Sequence, residues 1–387
     1  MSVYILGGSR TPIGSFLGQL SSVHVSELGA TAIQGALEKS QIDKSKVDEV
    51  FMGNVLTAGV GQAPARQATL KAGLSESVPA TTVGKVCGSG LQSVILAARS
   101  ILTGDNRLVV AGGMESMSLA PHLLLGSRSG FKYGPTEMKD SMQWDGLWDV
   151  YSNQAMGNCA EECVKKFQFS REAQDQFAIQ SFKRAQEAQK NGSFEKEISA
   201  VKLPAKAGVL EIKVDEGPTK ANFEKMPSLK PAFDKTGTIT AANASTINDG
   251  AAAVVLGGEE YKSQASFKIL SYASFAQNPT WFSTAPTGAM KKALEKANLK
   301  IGDIDFFEIN EAFAAVTMAA MTECEIPSEK VNVFGGAVAL GHPIGASGAR
   351  ILVTLMNVLQ EKKAKYGMAS ICIGGGEALA LIVERLK

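Results

Sequence analysis

One block of this sequence occurs twice. Ala36-Leu37-Glu38-Lys39 returns as Ala293-Leu294-Glu295-Lys296, 257 residues further along a chain of 387. The same spacing pairs Ile42 with Leu299, Val47 with Ile304 and Val50 with Phe307. At a spacing of 258, Gly88-Ser89-Gly90 pairs with Ala346-Ser347-Gly348, each ahead of an apolar helical stretch. Both copies then reach a strand and a Gly-rich turn, at Leu108–Gly113 and at Ala369–Gly376. A near-constant offset over about 60 residues, with the order of elements kept, marks a duplication.

Each copy alternates strand and helix patterns, which implies α/β units around buried sheets. In the first copy Val3–Leu6 reads as a strand, Ser26–Glu38 as a helix and Val47–Phe51 as a short strand. The stretch Leu91–Leu102 has apolar residues at 91, 94, 95, 98, 101 and 102, with Gly104 placed as a C-terminal cap. That apolar stripe is wide, so this helix is expected to be buried. Between the copies, about 119–243, the character changes. Turn-rich sequence leads into a helical stretch, about 156–190, and then into a Lys-dotted region holding Pro204, Pro218, Pro227 and Pro231. It reads as an insertion whose lysines form a solvated surface or part of a footprint for a phosphorylated ligand.

Composition narrows the class. The chain carries 39 Lys and Arg against 38 Asp and Glu, so no basic surplus points to nucleic acid. No uninterrupted apolar run reaches about 18 residues, and neither a membrane span nor an N-terminal targeting segment is expected. The C-terminal Arg385-Leu386-Lys387 is not a peroxisomal address. Five cysteines, an odd count, read as reduced thiols in a cytoplasmic protein.

The chemistry must come from a few residues. Cys87 stands just ahead of the buried helix, where unpaired N–H groups and positive partial charge favour a thiolate. A buried, inert cysteine is the competing reading. The three histidines are His24, His122 and His342, and any imidazole base must be one of them. His342 lies in Gly341-His342-Pro343-Ile344-Gly345, a turn entering the second copy's equivalent helix. Cys372 closes a strand and opens onto Gly374, Gly375 and Gly376, whose N–H groups could stabilise an oxyanion. Asn310 follows the strand Ile304–Ile309 and could be the N-cap of a helix. No metal is expected: Cys159 and Cys163 share a helix face, but no second Cys or His pair completes a zinc site.

Taken together, the segments Val86–Gly90, Gly112–Met117, Asn243-Ala244-Ser245, Asn248-Asp249-Gly250, Asn310–Phe313, Gly341–Gly345 and Cys372–Gly376 resemble the thiolase family along essentially the whole chain. The likeness is strongest to its short-chain acetyl-CoA acetyltransferases. It implies a duplicated five-layered α/β fold, two similar βαβαβαββ halves with an inserted loop domain that covers bound CoA. The halves are expected at 1–118 with 244–266 and at 267–387, and the insertion at 119–243. A homodimer or homotetramer is implied, with acyl-CoA substrates and no cofactor beyond them. By the same resemblance Cys87 is the acylated nucleophile, His342 activates it, and Cys372 moves the proton at the α-carbon of the second acetyl-CoA. Asn310 would hold a water that forms one oxyanion hole with His342, and the N–H groups of Cys87 and Gly374 the other. The substrate pocket would be lined by Leu147, Met156, Phe233, Ala244, Ser245, Ala312 and Phe313, with Ser245 on the pantetheine arm.

The chain departs from the short-chain pattern in places. Ala155-Met156-Gly157 stands where those relatives carry His-Met-Gly, and Glu162 stands where they carry Asn. Pro218 aligns with a tyrosine of potassium-responsive relatives, so no potassium site is expected. Reversible condensation of two acetyl-CoA is the leading expectation. A longer-chain 3-ketoacyl-CoA thiolase is the alternative, and a catalytically quiet acyl-CoA binder lies outside the enzyme class. A β-ketoacyl synthase would use a second His where this chain has Cys372.

Overall fold

The computed structural model describes residues 2–205 and 208–387. In the first half the order is β1 (Val3–Arg10), α1 (Val25–Ser40), β2 (Glu49–Gly53), α2 (Pro64–Lys71), β3 (Ala80–Val83), α3 (Ser89–Thr103), β4 (Leu108–Ser116) and, after a long excursion, β5 (Asn248–Gly257). The excursion holds α4 (Met156–Phe167) and α5 (Arg171–Lys190). The second half runs β6 (Phe267–Ala276), α6 (Ala285–Ala297), β7 (Phe306–Ile309), α7 (Ala314–Cys324), the single turn α8 (Ala337–Leu340), α9 (Ser347–Glu361), β8 (Tyr366–Ile373) and β9 (Glu377–Arg385). The first half is thus βαβαβαββ. In the second, the equivalent of β3 shrinks to one bridge, Val331 beside Phe307.

The hydrogen-bonded order is β7-β8-β9-β6-β1-β5-β4-β2-β3, which reads the same from both ends once the duplication is allowed for. The halves join where β1 and β6 pair antiparallel, Val3 opposite Ile269 and Ile5 opposite Phe267. Strand residues alternate between faces. On β4, Val109 and Ala111 face inward and Leu108 and Val110 outward. Inward lie α3 and α9, whose Leu91, Ile95, Ile351 and Leu355 share one core with both halves of the sheet. Outward, α1 and α2 cover the first half, and α6 and the end of α7 cover the second. The result is five layers.

The 18 residues Val86–Thr103 are long and apolar enough to cross a membrane by composition. Their place in the central helical layer accounts for it: Leu91, Val94, Ile95, Ala98 and Ile101 are buried in the shared core, while Arg99, Leu102 and Thr103 are exposed. Gly104 ends α3 in the left-handed conformation, φ +83°, its N–H bonded to Ile101 O at 3.1 Å.

The chain leaves the sheet after Ser116 and returns at Asn248. The single helical stretch expected at 156–190 is two helices: Gln168 takes φ +55° and Ser170 caps α5, accepting from Ala173 N–H at 3.1 Å. The excursion is pinned to the first half by Arg10. Its buried guanidinium donates to both oxygens of Asp215, at 2.7 and 2.8 Å, and to Glu197 at 2.5 Å.

Candidate active site

Two helix starts and one strand end converge on a single cavity of about 570 Å³. Cys87 sits in the tight turn Val86–Gly88 ahead of α3. Val86 holds φ +44°, a conformation that β-branched residues rarely adopt. Ser89 holds the turn closed: its hydroxyl accepts from Lys85 N–H at 2.8 Å and donates to Val86 O at 2.7 Å. Strain beside the thiol is thus maintained by the start of the helix.

The sequence reading expected this helix start to favour a thiolate. In the structure burial wins: it pushes the Cys87 thiol up to about 11, although the N–H groups of Gly374 and of Cys87 itself bond its sulfur. Removing a thiolate from water costs more than two neutral donors return. Cys372, at the end of β8, is also buried, and burial and then neighbouring Cys87 raise its thiol well above the usual range. Both sulfurs are therefore thiols in the free protein at neutral pH.

His342 follows Gly341, whose φ of +106° only glycine tolerates comfortably. The His342 N–H donates to Asn248 Oδ1 at 3.1 Å. Its ring Nδ1 lies 2.6 Å from Ser347 Oγ, while that hydroxyl donates to Pro343 O at 3.0 Å. With its hydrogen so engaged, the serine oxygen accepts from Nδ1–H, which leaves Nε2 as the nitrogen with the free lone pair. Nε2 faces the Asn310 amide at 3.5 Å. Burial, and then the Arg350 charge, hold the imidazole down at about 3, so the ring is neutral and ready to accept a proton.

Asn310 is not a helix cap. The next three residues are not helical: Ala312 N–H turns back to Asn310 O at 3.0 Å, Phe313 bridges Ala244, and α7 begins only at Ala314. Asn310 is instead fully buried, and its Oδ1 has no partner among the described residues. The next residue, Glu311, anchors the segment: its carboxylate accepts from Ser181, Asn332 and Val338 N–H at 2.7 to 3.0 Å.

All seven expected pocket residues line the cavity, Leu147, Met156, Phe233, Ala244, Ser245, Ala312 and Phe313, together with Cys87, His342, Cys372 and Gly374. Phe233 meets Phe313 edge-on, ring centres 5.9 Å apart, and is partly exposed. Ser245 donates to Ala312 O at 2.9 Å, so its hydroxyl hydrogen is already engaged within the chain. The lining also includes residues that the sequence reading did not single out, among them Phe16, Met117, Lys220, Phe282 and Ile344. Met117 and Ile344 lie inside motifs already noted, but no spacing rule tells which motif side chains turn inward. His24 lies elsewhere, capping α1 through Nδ1 at 3.3 Å from Ser26 N, and His122 is exposed in the excursion. Cys159 and Cys163 are buried on α4.

Residues 3–260 match the family model for the thiolase N-terminal domain and residues 263–385 that for the C-terminal domain. The chain is 50% identical to an acetyl-CoA acetyltransferase of Cupriavidus necator, covering 99% of each chain. It is 49% identical to one of Yarrowia lipolytica, covering all of this chain and 97% of the relative. A crystal structure of a thiolase from Ascaris suum in complex with coenzyme A superposes with a TM-score of 0.94 at 43% identity, over all of both chains.

Proposed function

The chain belongs to the thiolase family and is an acyltransferase, and from that premise we propose how it works as an acetyl-CoA C-acetyltransferase. It joins two acetyl-CoA reversibly into acetoacetyl-CoA and CoA through an S-acetyl Cys87. The observation that carries this reading is the meeting of two thiols, half-buried Cys87 and buried Cys372, with a neutral imidazole in one apolar cavity. The full-length likeness to acetyl-CoA acetyltransferases supports the short-chain activity over the fatty-acid-breakdown alternative.

The protonation states suggest the order of events. His342 Nε2 takes the Cys87 proton as the sulfur attacks the thioester carbonyl. The bond from that carbon to the CoA sulfur breaks. CoA leaves as a thiol with the proton of Cys372, whose raised pKa has kept it protonated until then. Cys372, now a thiolate, removes the α-proton of the second acetyl-CoA. The carbanion attacks acetyl-Cys87, and the departing Cys87 thiolate recovers its proton from the His342 imidazolium. Each sulfur ends as it began.

Negative charge on oxygen needs donors at two places. The N–H groups of Cys87 and Gly374, which converge on the Cys87 sulfur, suit the acyl-enzyme carbonyl. Asn310 suits the other, because its unpartnered buried Oδ1 can accept from a water that His342 shares. We assign Leu147, Met156, Phe233, Ala244, Ser245, Ala312 and Phe313 to substrate contact. We further propose a cytoplasmic homo-oligomer that needs no cofactor besides its CoA substrates.

The test is CoA-dependent thiolysis of 3-ketoacyl-CoA thioesters over a range of chain lengths, read as loss of the ketoacyl thioester absorbance. Fastest turnover of the four-carbon substrate is expected, with Ala155 in place of the usual His compensated elsewhere. Preference for long chains would move the enzyme to fatty-acid breakdown.

A further inference from the structure

Glu115, near the end of β4, is completely buried, and both of its oxygens are saturated with donors. Oε1 accepts from Asn54 Nδ2 at 2.6 Å and from Leu56 N–H at 3.2 Å. Oε2 accepts from Val55 N–H at 3.0 Å and from Gly345 N–H at 2.9 Å. Three of these donors belong to the loop after β2, in the first half. The fourth, Gly345, closes the turn that carries His342, in the second half. Its carbonyl is set among glycines of the first half. A Cβ on Gly53 would stand 2.8 Å from it and one on Gly90 3.0 Å, and one on Gly113 would meet it as well. A Cβ on Gly345 would itself stand 2.6 Å from Glu115 Oε2. The turn bearing the imidazole is therefore plugged into a glycine socket of the half that bears Cys87, with one carboxylate on both sides of the seam.

We propose that Glu115 is a positioning residue for the reaction: it locks the His342 turn against the start of α3, so that Nε2 stays within reach of the Cys87 thiol. This rests on the reading that His342 takes the Cys87 proton. A carboxylate is the side chain suited to the place, since it offers about four acceptor sites to four N–H groups. A glutamine would fit the same space but turn donors toward donors. Burial opposes the charge, pushing the Glu115 carboxyl up to about 7, while the four donors of Val55, Leu56, Gly345 and Asn54 act the other way.

Glu115→Gln tests it. Thiolysis of acetoacetyl-CoA should lose about tenfold or more in kcat, while KM changes less than about twofold, because placement rather than binding is disturbed. Alkylation of Cys87 by iodoacetamide at neutral pH should slow in parallel, since it uses the same proton acceptor and no acyl-CoA. A folded Glu115→Gln protein with wild-type kcat and alkylation rate overturns the proposal. Wild-type protein without thiolysis would overturn the assigned activity instead, and the alkylation comparison would still decide the role of Glu115. If Glu115→Gln does not fold, Asn54→Ala, which removes one of the four donors, should lower kcat about two- to fivefold at unchanged KM. Wild-type kcat there counts against the proposal.

Discussion

Gly90 and Gly348 occupy equivalent places in the two halves, and each touches the backbone of the opposite central helix. A Cβ on Gly348 would stand 2.5 Å from Leu91 N, and one on Gly90 2.8 Å from Ala349 N. The helices α3 and α9 therefore meet backbone to backbone at their first turns. That contact brings Cys87, two residues ahead of α3, into one cavity with the histidine five residues ahead of Ser347 on α9. Gly348→Ala should cost about 1–3 kcal/mol of stability through overpacking. The urea midpoint of unfolding reads this, and an unchanged midpoint would show that the crossing has room.

Cys87→Ala should abolish acyl-enzyme formation. Incubation with labelled acetyl-CoA and mass measurement of the denatured protein would show no adduct. A surviving adduct would move the nucleophile elsewhere. In the wild type, alkylation by iodoacetamide should fall on Cys87 before the buried Cys159 and Cys163 and be blocked by acetyl-CoA.

Cys372→Ala should stop both condensation and thiolysis while Cys87 acylation by acetyl-CoA remains detectable, though slower, because the leaving CoA loses its proton donor. Peptide mapping of the acetyl group distinguishes the half-reactions. Loss of Cys87 acylation as well, in a folded protein, would give Cys372 a different role.

Ser347→Ala leaves Nδ1 of His342 without its acceptor at 2.6 Å and frees the ring to change tautomer. A fall in kcat of about tenfold is expected, at nearly constant KM, with activity restored by Ser347→Thr. Equal kcat in the alanine variant would mean that the ring is oriented by its packing alone.

The His342 ring also links stability to pH. Its folded value of about 3 lies below the ordinary 6.5. Between those values the unfolded chain binds a proton that the folded protein excludes. The stability this group contributes is complete above about pH 6.5 and is lost as pH falls toward 3. Urea midpoints measured from pH 7 to pH 4 should therefore drop more steeply for the wild type than for His342→Asn. Parallel curves would show that the folded ring takes up its proton over the same pH range as the unfolded one.

Much of this was legible from spacing. The duplication forecast two similar α/β halves, and Gly104 at the end of its apolar stripe became the left-handed cap of α3. The motif residues Cys87, His342, Cys372, Gly374 and Asn310 were all named from the sequence. Other features were not legible. Asn310 could have been a helix cap, but a tight turn and the pairing of Phe313 with Ala244 delay the helix to Ala314. The stretch at 156–190 looked like one helix, but Gln168 breaks it.

The division has a physical cause. Periodicity, caps and glycine turns depend on neighbours a few residues apart, so the sequence alone determined the α/β halves, their repetition and which residues could carry chemistry. Protonation and placement depend on what folding brings from far away. Desolvation in the cavity keeps Cys87 a thiol against the pull of its helix, and the hydrogen bond from Gly345 to Glu115 joins residues 230 positions apart. The tertiary structure alone decided that the imidazole is neutral, which of its nitrogens is free, and that it lines the same cavity as the thiol.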